Sequence, residues 1–200
     1  GSSPDDLKNT HYRVEPCKNL KTITEKDSFE LSDGRKISFI DLPGHYYSNF
    51  GVLCTLKNNH KVLFAADSIF PRGELGRYWI PFMINPDLFM DSLDKILTIE
   101  QLDWCIPGHG DFIYDNLEET VELNKIAVLS TKQCILNSIG NEKRTFDEII
   151  QEVAIRNELE MKPGQYLLVA STIRSYISAL YNKGLVSYKT ENNKFYIFKC

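Results

Sequence analysis

Apolar and polar positions alternate along the first half of the chain. From Lys36 to Leu42 the run Lys-Ile-Ser-Phe-Ile-Asp-Leu is rich in β-branched and aromatic residues, and Asp33-Gly34 before it suits a hairpin turn. A strand is predicted there. Gly51–Leu56 and Lys61–Ala66 repeat the pattern around the polar Lys57-Asn58-Asn59-His60, which predicts a second hairpin. The period then lengthens: Leu88, Phe89, Ser92, Leu93, Ile96 and Leu97 recur at helical spacing after Pro86-Asp87, so a helix is expected over 86–102. Trp104-Cys105-Ile106 reads as a short buried strand that stops at Pro107-Gly108. A long amphipathic helix is expected from Asn116 to Ile139, with Leu117, Val121, Val128, Ile135 and Ile139 on one face and Gly140 at its end.

Charge balance changes at the same glycine. Residues up to Gly140 hold 20 acids and 14 bases, whereas Asn141–Cys200 hold 7 acids and 9 bases. Two domains are therefore predicted, 4–140 and 141–200, with Gly1-Ser2-Ser3 set aside as a scar. In the second, Thr145 opens a helix through Val153, and Met161–Leu167 turn around Pro163-Gly164. A helix with a stripe of Val169, Ile173, Ile177 and Leu180 then runs to Lys183, and Leu185–Lys199 form a hairpin around Asn192-Asn193. That order is a winged helix-turn-helix.

Composition narrows the function classes. Hydrophobic residues make up 42% of the 200, enough for real cores, and the net charge of −4 gives no overall attraction to nucleic acid or anionic membrane. Cys17, Cys54, Cys105, Cys134 and Cys200 form no CxxC pair, which fits incidental thiols in a reducing cytosol. With no apolar run of about 20 residues and no leader-like start, a soluble cytoplasmic protein without membrane contact is expected.

Candidate chemistry sits after the strands. Pro43-Gly44-His45 follows the strand ending at Leu42, Asp67-Ser68 follows Ala66, and Pro107-Gly108-His109-Gly110 follows Ile106. Each loop carries a side chain able to bind a metal, and convergence on one sheet edge is predicted. Singly, such motifs are commonly turns with an exposed histidine or an aspartate bonded to nearby backbone; the ordered set of three changes that reading. His11 and His60 have no such context and read as surface residues.

The order and spacing resemble the metallo-β-lactamase superfamily, especially its glyoxalase II-like and endoribonuclease-like hydrolases with an added helical or winged domain. The resemblance covers roughly Glu15–Gly110, with the helix before Pro-Gly-His-Gly also in place. It implies an α/β (α+β) chain comprising the later half of an αββα sandwich followed by the winged domain. It also implies two divalent metal ions in the complete parent protein, zinc with manganese or iron as alternatives, held in part by His45, Asp67 and His109. Asp67 would be the bridging carboxylate and the one catalytic side chain in this chain. Neutral imidazole and carboxylate suit such ions, and a hydroxide they share would attack an ester, thioester or phosphodiester in a small-molecule or RNA substrate.

Departures from the family pattern are as informative. No His-x-His-x-Asp-His segment occurs, so four expected ligands are missing; Tyr46-Tyr47-Ser48-Asn49 replaces the usual Ser/Thr-Pro-Gly turn, and Ala66 replaces the usual glycine before the bridging aspartate. Metal binding by the chain alone is expected to be weak or absent and the chain inactive. An apolar sheet face drawn from Phe39, Ile40, Val52, Leu53, Leu63 and Phe64 should need covering, by a second copy or by a missing N-terminal half. The other functional class is a non-catalytic nucleic-acid-binding or regulatory winged-helix protein on a sandwich scaffold. Its recognition helix offers only Gln165, Arg174, Asn182 and Lys183, while Lys189 and Lys194 on the wing, with Tyr188, Phe195 and Tyr196, could touch a phosphate backbone or stack on a strand. A cap or substrate platform on the hydrolase is the preferred role for this domain.

Overall fold

The computed structural model describes Lys18 and residues 20–77 and 81–200; His11 and Cys17 lie outside them. Strands β1 (Ser28–Glu30), β2 (Lys36–Asp41), β3 (Phe50–Thr55) and β4 (Lys61–Ala66) form an antiparallel meander. Helices α1 (Arg72–Arg77) and α2 (Pro86–Leu97) then lead to β5 (Leu102–Pro107), which pairs parallel to β4 and completes the order β1-β2-β3-β4-β5. Helices α3 (Leu117–Ile139), α4 (Phe146–Arg156) and α5 (Pro163–Asn182) follow, and β6 (Val186–Glu191) and β7 (Lys194–Lys199) make a separate hairpin. The Asp33-Gly34 turn is as expected, with Gly34 at φ 83°, and Asn192 and Asn193 both take positive φ at the β6–β7 turn.

Strand alternation divides the sheet into two unlike faces. Ile40 and Leu42, Gly51 and Leu53, Leu63 and Ala65, and Cys105 turn toward the helices, where Phe89, Leu93 and Ile96 of α2 and Val121 and Val128 of α3 join them in the core. Gly51 has no room for a side chain there: a Cβ would lie 2.8–2.9 Å from Ile40, Leu42 and Leu63. The other face carries Phe39, Val52, Phe64 and Ile106 in register, with Trp104 alongside. Phe64 is 47% and Trp104 43% exposed. The open face is thus Phe39, Val52 and Phe64, whereas Ile40, Leu53 and Leu63 of the predicted set face inward. A strand's period of two puts consecutive residues on opposite faces.

The helix expected over 86–102 is shorter. Thr98 caps α2, its hydroxyl and amide both bonding the Lys95 carbonyl, and Gln101 at φ 57° reverses the chain so that β5 starts at Leu102. Pro163 is the first residue of α5, which absorbs most of the turn expected over 161–167; proline's fixed φ and missing N–H cost nothing at a helix start. The six-residue α1 carries too few apolar positions to announce itself.

α3 is the spine. It packs on α2, α4 and α5, and the buried cluster runs without a break from Leu42 through Ile135, Ile139, Ile149, Ile173 and Leu180 to Ile197. Gly140 ends α3 at φ 68°. Thr145 and Glu148 form a reciprocal capping box on α4, and Arg144 pairs with Ile197 as a backbone bridge that ties the segment before α4 to β7. Asp87 at the start of α2 receives Lys183 (2.7 Å) and Lys132 (3.3 Å), which fastens α5 and α3 to the sheet-covering helix. Among the described residues no helix is long and apolar enough to cross a membrane.

Candidate metal centre

Strand direction brings the three loops together. β3 runs antiparallel to both β2 and β4, and β5 runs parallel to β4, so β2, β4 and β5 all end at the same sheet edge. Each delivers one of the predicted residues there. Asp67 stands between two histidines: its Oδ2 is 3.6 Å from His45 Nε2 and its Oδ1 is 3.5 Å from His109 Nε2. Both separations exceed a good N–H···O hydrogen bond. His45 is 23% exposed, Asp67 29% and His109 68%.

Among the described residues Asp67 Oδ1 is buried with no hydrogen-bond partner, an arrangement that costs about 1–3 kcal/mol unless a ligand compensates, and His45 Nδ1 is buried with at most a weak contact to the Phe82 backbone. Burial lowers the pKa of His45, against the opposing pull of the Asp67 carboxylate, so its imidazole is biased toward the neutral form. Phe82 meets the ring edge-on at 5.5 Å and Phe70 stands 6.3 Å away.

Each loop is held by contacts that leave little freedom. The Pro43 carbonyl accepts Ser92 Oγ of α2 at 2.6 Å, and the Gly44 carbonyl accepts the amides of Ile84 and Asn85 just before α2. Gly44, at φ 137°, lies so close to Phe89 that a Cβ would fall 2.4 Å from its Cα. Asn49 Nδ2 donates to Ser68 Oγ (2.5 Å) and to the Leu42 carbonyl (3.2 Å), strapping the ends of β2 and β4 together. The Gly108 amide donates to the Ala66 carbonyl at 2.7 Å, and a Cβ on Gly108 would sit 2.6 Å from Asp67 Oδ1. Reciprocal bonds between Cys105 and Ile113 close the His109 loop. Behind Asp67, Asn124 of α3 both accepts from the Phe70 amide (3.0 Å) and donates to its carbonyl (2.7 Å).

Asn49, Ser92 and Asn124 were not among the predicted residues. Asn124 had a signal: it falls between Val121 and Val128 on the buried stripe of α3, where a polar residue needs a reason. Asn49 and Ser92 act through contacts distant in sequence, and nothing local marks them. His60 is half-exposed and pairs with Asp103 through Nδ1 at 2.7–2.8 Å, away from the three loops.

Among the described residues no three His, Cys, Asp or Glu side chains are grouped to hold one ion. His45 and His109 face different oxygens of Asp67, and each histidine–carboxylate pair offers two donors, fewer than the three protein ligands that a catalytic zinc keeps.

No protein-family model matches the chain. Among solved structures it is similar over its whole length, at 17% identity and a TM-score of 0.74, to a metallo-β-lactamase family protein of Thermus thermophilus. Over 92% of its length, at 13% identity and a TM-score of 0.68, it is similar to a β-lactamase domain protein of Burkholderia ambifaria. The fold is that of metallo-β-lactamases. In sequence it is 27% identical over 99 residues to uncharacterized proteins of Mycobacterium tuberculosis and Mycobacterium bovis. That match takes in 48% of this chain and 43% of theirs, and the chain spans 61% and 53% of the two solved structures. The fold found here is the one that the sequence resemblance implied.

Proposed function

We propose that this chain is the later part of a cytoplasmic metal-dependent hydrolase that cleaves an ester, thioester or phosphodiester. The carrying observation is Asp67, whose two oxygens each face a different histidine while Oδ1 lies buried with no hydrogen-bond partner among the described residues. His45 and Asp67 would hold one ion and Asp67 and His109 the other, zinc being the best match to this nitrogen and oxygen set. When bound, such ions supply Lewis acidity and a water acidic enough to act as nucleophile near neutral pH. His45 presents a neutral ring against Phe82, Gly108 leaves space beside the carboxylate, and the Ser92 and Asn49 contacts keep the donors in place. The remaining ligands would come from an upstream half lying on the open Phe39, Val52 and Phe64 face. The segment 141–200 would be a winged domain serving as cap or substrate platform.

Metal loading tests the reading. After dialysis against zinc or manganese, elemental analysis of the 200-residue chain should give well under two ions per molecule, with no turnover of a generic thioester or phosphodiester. Adding the upstream half should raise both, and His109→Ala should abolish the gain. Full loading and turnover by the chain alone, or a gain indifferent to His109→Ala, would refute the proposal.

A further inference from the structure

A second feature lies away from the sheet edge. A surface cleft of about 570 Å³ opens between the start of α4, the middle of α5 and the β6–β7 hairpin. Its size falls within the range of about 300–1,000 Å³ usual for small-molecule sites. Tyr188 and Phe195 of the hairpin form an aromatic wall 5.2 Å between centroids, and Tyr181 stacks behind Tyr188 at 4.2 Å and 14°. Phe195 is 50% exposed, so its ring is accessible from the cleft.

The charges single out one ligand chemistry. Arg174 lies over the Phe146 ring at 4.2 Å, and Lys194 lines the same cleft; among the described residues neither forms a close ion pair, although Lys194 lies near enough to Glu148 to help lower its carboxyl pKa. Neighbouring cations are neutralised: Glu191 takes Lys143 and Lys189, and Glu152 takes Arg144 and Arg156. Asp147, the acid that lines the cleft, is already bonded by the Tyr166 hydroxyl at 3.0 Å. The first turn of α4 is closed by its own capping box, which leaves the two side-chain cations as the anion-binding groups. An apolar peptide would leave both cations buried and unpaired, whereas a planar ring carrying a phosphate uses the wall and the charges together.

We infer that this cleft binds a nucleotide unit, its base stacked on Tyr188 and Phe195 and its phosphate held by Arg174 and Lys194. The inference is independent of the metal reading, and its test is run in EDTA. The full chain is titrated into fluorescein-labelled decauridylate and followed by anisotropy, with AMP and heparin as competitors. Saturable binding is expected, weakened at least fivefold by Phe195→Leu and at least tenfold by Arg174→Ala with Lys194→Ala. The double variant should also flatten the dependence of log affinity on log salt by about 0.7, the effect of one single-strand phosphate contact. Displacement by millimolar AMP identifies a free nucleotide as sufficient; resistance to AMP identifies a strand. Lys194→Gln alone, at an exposed hairpin position, guards against a folding defect in the double variant. Absence of saturable binding, binding that survives all these substitutions, or a salt-sensitive affinity indifferent to Phe195→Leu would overturn the inference.

Discussion

Replacing Asn124 with alanine tests how the core holds the candidate site. Asn124 is 1% exposed, and its amide makes three bonds: from the Phe70 N–H at 3.0 Å, to the Phe70 carbonyl at 2.7 Å and to the Thr120 carbonyl at 2.8 Å. The Thr120 carbonyl belongs to α3 and keeps its helical partner, so the loss falls mainly on Phe70. Both backbone groups of that residue would be left unpaired at about 1–3 kcal/mol each, with water entering the vacated space recovering part. A net loss of about 3 kcal/mol follows, or a fall in Tm of roughly 6–12 °C for a chain of this size. Asn124→Asp should cost more at pH 7, because a carboxylate oxygen would then face two carbonyls. Its loss should shrink as the pH falls and the buried acid, whose folded-state pKa is raised, takes up a proton it can donate. Urea and thermal unfolding followed by circular dichroism would measure both. A cost below about 1 kcal/mol for Asn124→Ala would show that the amide is not what holds Phe70, and with it the wall beside His45.

Ala66 occupies the left-handed region at φ 48°, where a Cβ costs about 1 kcal/mol, so Ala66→Gly should raise stability by about that amount and Tm by about 2–4 °C; a lower Tm would mean the methyl packs usefully. At Asp87, burial would raise the carboxyl pKa, but Lys183 and Lys132 together outweigh it and hold the group below the usual aspartate value. A depressed folded-state pKa contributes stability above the unfolded value that is lost as pH falls through the folded one. Wild type should therefore exceed Asp87→Asn by under about 1 kcal/mol at pH 6–8, the carboxylate being 40% exposed, with the difference starting to fall near pH 4 and lost only as pH drops through the lower folded-state pKa. An unchanged difference at about pH 3 would rule out the ion pairs as its source.

Much of this protein was legible in its residues. Strands β2, β3 and β4 of the meander, the long α3, the stripe of α5 and the Asn192-Asn193 turn follow from periods of about two and 3.6 and from turn chemistry, all of which act within a few residues, whereas the three-residue β1 is too short to show a period. The three loops carrying His45, Asp67 and His109 were legible for the same reason, each being a short motif after a strand, and even Ala66 drew notice as the residue out of place. Tertiary structure decided the rest. Which of Phe39 and Ile40 faces the helices depends on register with β3, and the extent of α2 depends on where β5 must begin to pair with β4. The straps at Asn49, Ser92 and Asn124 join positions far apart in the chain, so no local pattern announces them. That Asp67 faces one histidine with each oxygen is a matter of strand direction and loop closure, which exist only once the sheet has formed.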